Sequence, residues 1–198
     1  MAQHDDARRR PHGSGATLAL PTPDDTARLG HALAAACRAH AAAIAAHGLQ
    51  VDLDGDLGVG KTAVVRAWLR ALGVTGTIRS PSFSVVETYV VSLHQSTPLA
   101  DIRLEAQEIS SLDFYHIDFY RFADPDEFSS GFRELFGPGA VCAVEWPGKA
   151  GSRLPAADIT IALRVEGEGR RATLSAASEL GDRCLQSAME ELKADAAG

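Results

Sequence analysis

The sequence is poor in the residues that mark several large protein classes. It holds three cysteines in 198 residues, Cys37, Cys142 and Cys184, far apart and odd in number. That excludes a disulfide framework, offers no paired spacing for zinc, and points to buried thiols in a reducing compartment. No apolar run approaches the ~20 residues that span a bilayer. "RRRP" at 8–11 is followed by "HGSGATLAL", too short and too broken for the apolar core of an export signal, so a cytoplasmic location is expected. Basic residues are outnumbered, 19 Lys and Arg against 26 Asp and Glu, and aromatics make up only 6%. With a formal net charge of −7, the chain offers no basic, aromatic platform for direct nucleic-acid binding. No two of its seven histidines have the helical spacing and acid neighbours of a zinc protease.

What is present suits one α/β domain. Hydrophobic residues make up 45% and charged residues 23%, close to a globular average. Residues 1–16 are polar and read as a disordered tail, which leaves 17–195 as a single domain. "ATLAL" (16–20) is a candidate strand. Thr22 and Pro23 then open an Ala-rich helix over 23–46, ended by Gly48. Strands are expected at 49–55, 82–91, 112–121 and 140–146, with a helix over 61–72 closed by Gly73. "DPDE" (124–127) reads as a capping box opening a short helix to about Phe136. "DITIALRV" (158–165) and "RRATLSA" (170–176) read as a hairpin, and Leu180, Cys184, Ala188 and Leu192 mark one face of a last helix. Residues 92–111 are mixed and polar, an apparent loop insertion. Strands interleaved with helices predict a three-layer fold, a central mixed but mostly parallel sheet flanked by helices.

One stretch carries chemistry. "GDLGVGKT" (55–62) matches G-x-x-x-x-G-K-[ST] between an apolar strand and an amphipathic helix, the context of a P-loop NTPase-like fold. Gly55, Gly58 and Gly60 let the loop curl so that its N–H groups converge on phosphate oxygens. The helix starting at Lys61 directs its positive end at the same anion. Lys61 supplies a movable charge, and the Thr62 hydroxyl is placed for Mg²⁺.

Turnover also needs an acid for the metal and a group that orients the nucleophile. Glu145 ends the apolar run "AVCAV", where such an acid sits at the carboxyl end of a central strand. Asp118 ends another strand, in "YHIDFYR". The plainer alternatives are a surface acid for Glu145 and a partner of Arg121 for Asp118. His116 shares a strand face with Asp118, either to tune it or simply to pack. An N-K-x-D base-reading stretch is missing, which argues against a GTPase, and arginines are too sparse for a nucleotide-kinase lid.

With these residues in view, the chain resembles the bacterial tRNA threonylcarbamoyladenosine biosynthesis ATPase family, TsaE type. The resemblance rests on "LDGDLGVGKT" (53–62), "SPSFSVVETY" (80–89), "YHIDFYR" (115–121), "EWP" (145–147) and "GRRATLS" (169–175), in that order, and covers roughly 18–192. It implies ATP and Mg²⁺ as cofactors. The loop Gly55, Asp56, Leu57, Gly58, Val59, Gly60, Lys61, Thr62 and Ala63 would cradle the phosphates, with Thr62 and Glu145 on the metal. Lys61, Asp118 and Glu145 would form the catalytic set, Asp118 near the γ-phosphate. Ser80, Pro81, Ser82 and Phe83 would form a switch loop, Trp146 would pack beside the nucleotide, and Arg170 and the Thr22 turn would approach adenine or ribose. The implied role is ATP hydrolysis that supports threonylcarbamoylation of the adenosine next to the anticodon. It would act on a TsaD-type transferase and a TsaB-type scaffold, reach tRNA only through them, and involve no membrane. The chain departs from the family pattern at Ala63, where a second Thr is usual, at Ser82 in place of Thr, in the spacing before Gly131, and in the 92–111 insertion. Two rivals stay open: a P-loop phosphotransferase with Asp118 as base, and a nucleotide-binding subunit without useful turnover.

Overall fold

The structure, a computed structural model, describes residues 13–81, 84–93, 111–123, 128 and 130–197. In chain order the elements are β1 (Gly15–Leu20), α1 (Pro23–Ala39), α2 (Ala41–His47), β2 (Leu49–Asp54), α3 (Lys61–Ala71), β3 (Val86–Ser92), β4 (Ser111–Asp118), α4 (Ser130–Arg133), β5 (Ala140–Glu145), β6 (Ile159–Glu166), β7 (Gly169–Ala176) and α5 (Glu179–Ala197). Two 3-10 turns follow β5, at Pro147–Lys149 and Gly151–Arg153.

The strands form one sheet in the order β1-β7-β6-β2-β5-β4-β3. The middle pairs, β6–β2, β2–β5 and β5–β4, are parallel. β7 and β3 run against their neighbours, and β1 runs against β7. Only β7 and β3 therefore oppose the majority direction, and the expected mixed, mostly parallel sheet is what the chain forms. All six residues of β5 are buried, as a strand covered on both faces must be.

One face of the sheet carries the long helices. Leu49, Val51 and Leu53 of β2 pack with Val141, Ala143, Ile159 and Ile161 against Leu29 and Leu33 of α1, Val64 and Trp68 of α3, and Cys184 and Ala188 of α5. Trp68 meets Phe114 of β4 edge-on, ring centroids 5.0 Å apart. Gly30 lets α1 lie directly on α3: a Cβ there would stand 2.6 Å from the Val64 carbonyl oxygen. The opposite face has a thinner cover, in which Phe119, Phe122 and Phe128 pack with Ile117, Cys142 and Val144, and Phe132 of α4 closes over them. Among the described residues no helix is long and apolar enough to cross a membrane.

Several expected boundaries move. The helix read over 23–46 breaks at His40 (φ −115°, ψ 21°), whose ring instead reaches Ser187 of α5 at 3.0 Å. The strand expected from 82 begins at Val86, because Val85 is left-handed (φ 65°) and its N–H donates to the Pro81 carbonyl at 2.7 Å. The strand expected to 121 ends at Asp118; the aromatics beyond it turn into the second cluster, with the Phe122 N–H on the Phe119 carbonyl. Gly15 and Ala16, assigned to the tail, open β1. The capping box at 124–127 lies outside the described residues, and α4 stops at Arg133, short of Phe136. Most of the 92–111 insertion, residues 94–110, also lies outside them; Ser92 pairs with Ser111, so the segment links β3 to β4.

Candidate functional site

β2 delivers the glycine loop at the carboxyl end of the sheet, and α3 leads away from it. Gly55, Gly58 and Gly60 all have positive φ (142°, 76° and 118°), which L side chains adopt only with strain. A Cβ at Gly55 would fall within 3.0 Å of the Leu163 carbonyl oxygen on β6, whereas one at Gly58 would meet nothing. The first glycine thus seats the loop on the sheet, and the second leaves its outer surface bare.

Lys61 is almost fully buried. Its ammonium donates to the carbonyls of Gly55 (2.6 Å) and Asp56 (2.9 Å) and stands 4.0 Å from the centroid of the Trp146 ring. Burial lowers its pKa, opposed by Glu145, Asp118, Asp54 and Asp56, in that order. The Thr62 hydroxyl donates between the two carboxylate oxygens of Glu145, at 2.8 and 3.0 Å. Glu145 is 3% exposed, and its Oε1 also lies 2.8 Å from His116 Nε2.

Asp118 stands opposite Glu145 in the β4–β5 register and accepts from the Tyr120 N–H at 2.8 Å. Burial raises its pKa above the ordinary carboxylate value; the Tyr120 bond opposes this, Glu145 adds to it, and His116 and Lys61 oppose it. Trp146 is left-handed (φ 59°, ψ 46°), a strained conformation for an aromatic residue. Its ring packs against Tyr120 at 5.1 Å.

Two hollows meet at the loop. The larger, about 490 Å³, lies over Gly58, Lys61 and Thr62 and is bounded by Ser80, Asp118, Glu145 and Trp146. The smaller, about 200 Å³, lies on the other side of Gly60 and Ala63, against Thr22, Thr26, Gly169 and Arg170. Lys61, Thr62, Ser80, Asp118, Glu145 and Trp146 are therefore gathered at one opening, and Thr22 and Arg170 at its neighbour. Of the remaining loop residues Leu57 is exposed at the rim, Asp56 contributes a carbonyl, and Val59 is buried with its carbonyl accepting from Arg170 Nε at 2.9 Å. Ala63 borders both hollows without a hydroxyl to offer. The Thr22 side chain is engaged in a capping box with Asp25. Ser82 and Phe83 lie outside the described residues.

The structure adds residues that sequence reasoning missed. Arg66 and Tyr120 border the larger hollow, as does Arg121, which the sequence offered only as a partner of Asp118. Arg66 follows Thr62 by one helical turn, and that spacing could have found it. Its Nε donates to the Ile78 carbonyl at 3.3 Å, two residues before Ser80. His116 serves Glu145 directly, across the sheet.

The donor set suits Mg²⁺: two hard oxygen ligands, the Thr62 hydroxyl and the Glu145 carboxylate, lie within hydrogen-bond distance of each other. Among the described residues no group of three His, Cys, Asp or Glu could hold a metal alone. This is the usual condition of Mg²⁺ sites completed by substrate phosphates and water.

Comparison with known proteins bears on family and fold. The family model described as threonylcarbamoyl adenosine biosynthesis protein TsaE matches residues 20–173. The chain is 33% identical over 138 residues to the tRNA threonylcarbamoyladenosine biosynthesis protein TsaE of Haemophilus influenzae, covering 69% of this chain and 76% of the relative. It is 35% identical over 126 residues to the protein of the same name from Treponema pallidum, covering 63% and 78%. Among solved structures, the crystal structure of Bacillus subtilis YdiB shares the fold with a TM-score of 0.61 and 23% identity, covering 92% of this chain and 97% of that one.

Proposed function

The chain belongs to the TsaE family of threonylcarbamoyl adenosine biosynthesis proteins, and from that premise we propose that it is a cytoplasmic, Mg²⁺-dependent ATPase. The observation that carries the reading is the convergence of Lys61, Thr62, Asp118 and Glu145 at one opening over a bare glycine loop. When bound, Mg²⁺·ATP would supply the phosphoryl electrophile, and the metal would offset phosphate charge. Lys61, which donates to the carbonyls of Gly55 and Asp56, would turn to the phosphates of a bound nucleotide. Thr62 and Glu145 supply the protein's oxygens to the metal. Asp118 faces the same hollow and orients the attacking water as a hydrogen-bond acceptor. Ser80 approaches from the switch segment, and the hollow beside Thr22 and Arg170 takes the nucleoside.

The hydrolysis serves threonylcarbamoylation of tRNA by acting on the transferase complex, a TsaD-type subunit with a TsaB-type scaffold, and the group itself is transferred elsewhere. A net charge of −7 accords with an indirect relation to tRNA. The test is phosphate release by the purified chain alone, with candidate hydroxyl acceptors, and with the transferase–scaffold pair. Stimulation by the pair, lost in Asp118→Ala, supports the reading. ADP formation that requires an acceptor would replace it with a phosphotransferase, and binding without turnover in every mixture would leave a passive nucleotide-binding subunit.

A further inference from the structure

We propose that His116 is a positioning residue that holds Glu145 with one carboxylate oxygen pinned and the other free for the metal. The inference rests on the Mg²⁺–nucleotide reading of the site. His116 is 0% exposed and Glu145 3%, so the His116 ring is sealed from solvent and Glu145 meets it only from the side of the larger hollow. The two are joined at 2.8 Å, Nε2 to Oε1. An ionised carboxylate only accepts, so the ring presents N–H at Nε2. Its Nδ1 is buried and has no hydrogen-bond partner among the described residues.

The asymmetry of the contacts gives the histidine its role. Thr62 donates between both oxygens of Glu145, at 2.8 and 3.0 Å, and so does not distinguish them. His116 takes Oε1 alone. Its strand position makes this possible. On β4 it is paired with Ala143 of β5, two residues before Glu145. The small alanine leaves room for the ring to reach along the sheet to the carboxylate. A purely apolar role would not explain an imidazole here, because a buried ring with an orphaned nitrogen is a poorer filler than Phe or Leu. Hydrogen bonds of this kind orient metal-binding carboxylates, and their removal weakens metal affinity by ~10–100-fold.

Three variants test the idea. In His116→Gln the amide N–H can occupy the place of Nε2. In His116→Asn the amide falls at the level of Nδ1, short of Glu145. His116→Phe fills the volume without a donor. Calorimetry would measure ADP binding to the wild type and each variant, in EDTA and across a Mn²⁺ titration, with thermal melting as a check on folding. The expected result is ~10–100-fold weaker metal-dependent binding for Asn and Phe, Gln within a few-fold of wild type, and the same metal-free ADP affinity throughout. Wild-type metal dependence in Asn or Phe would overturn the proposal. So would a Gln variant as impaired as Asn, or losses that follow melting temperature rather than donor placement. Should the Phe ring not be accommodated, the Gln–Asn pair makes the same comparison. A wild type with no metal-dependent nucleotide binding would instead overturn the site reading, and this inference with it.

Discussion

Gly55 and Gly58 lie three residues apart in one loop, both with positive φ, yet alanine should affect them in different ways. At Gly55 two penalties add. The left-handed backbone (φ 142°) costs an L residue ~1–3 kcal/mol. The new methyl would also lie within 3.0 Å of the Leu163 carbonyl oxygen, a backbone atom that β6 cannot easily move, and overpacking of this kind costs a further ~1–3 kcal/mol. The sum, ~2–6 kcal/mol, is a large share of the ~5–15 kcal/mol by which a domain is stable. At Gly58 only the backbone penalty applies, since a Cβ meets nothing within 4 Å. That methyl would project into the space proposed for phosphate. Urea unfolding of both variants, with ADP binding by calorimetry, separates the effects. Gly55→Ala should lose more stability than Gly58→Ala by the packing penalty, and Gly58→Ala should lose nucleotide affinity while staying folded. Equal destabilisation, or unchanged ADP binding in Gly58→Ala, would refute the division of labour.

Lys61→Ala should weaken ATP binding by at least ~100-fold, two charge-assisted hydrogen bonds being worth ~1.5–3 kcal/mol each; unchanged affinity by calorimetry would remove the phosphate from this loop. Asp118→Asn should bind Mg²⁺·ATP normally and lose ~10²–10⁴ in turnover by the stimulated protein; a wild-type rate would show that Asp118 does not orient the nucleophile. Asp52 is raised to about 6, first by burial, against the Gln50 hydrogen bond and with a contribution from Asp158. Because the folded value exceeds the unfolded one, the native state holds the extra proton between them and stability falls as pH rises from ~4 to ~6. Asp52→Asn should therefore melt higher than wild type at pH 8, by up to ~3 kcal/mol for a shift of about two pK units, with the gain vanishing at pH 4; a gain independent of pH would assign it to packing.

The legible parts of the sequence were those in which one element carries its own signal. The glycine loop is framed by a strand and a helix of opposite periodicity, so its place in the fold follows. Glu145 was legible because an uninterrupted apolar run identifies a doubly covered strand, and its last residue must emerge where the sheet opens. The break at His40 was not legible: alanines on both sides favour a helix throughout, and the interruption depends on α5, where Ser187 meets the imidazole. Period-two spacing correctly set His116 on the face of Asp118, but it cannot rank partners across strands. Only the β4–β5 register brings the ring to Glu145. Thr22 and Arg170 were grouped with the loop, and it took the folded chain to divide the hollow they share from the one holding the acids.

The polar contacts that Lys61 and Thr62 make within the protein bear on how the proposed site would work. Lys61 has two carbonyl partners and an aromatic face, and Thr62 has both oxygens of Glu145. A phosphate bound here would exchange these contacts for its own, so its affinity would be the difference between the two sets. Part of what Lys61 leaves behind is the Trp146 ring, on a backbone already held left-handed and flanked by Tyr120. A phosphate bound at the loop would thus be coupled through one lysine to the segment that follows β5 and to the residues just beyond Asp118. These lie at the open side of the larger hollow, where an ATPase that responds to partner subunits would have to be read.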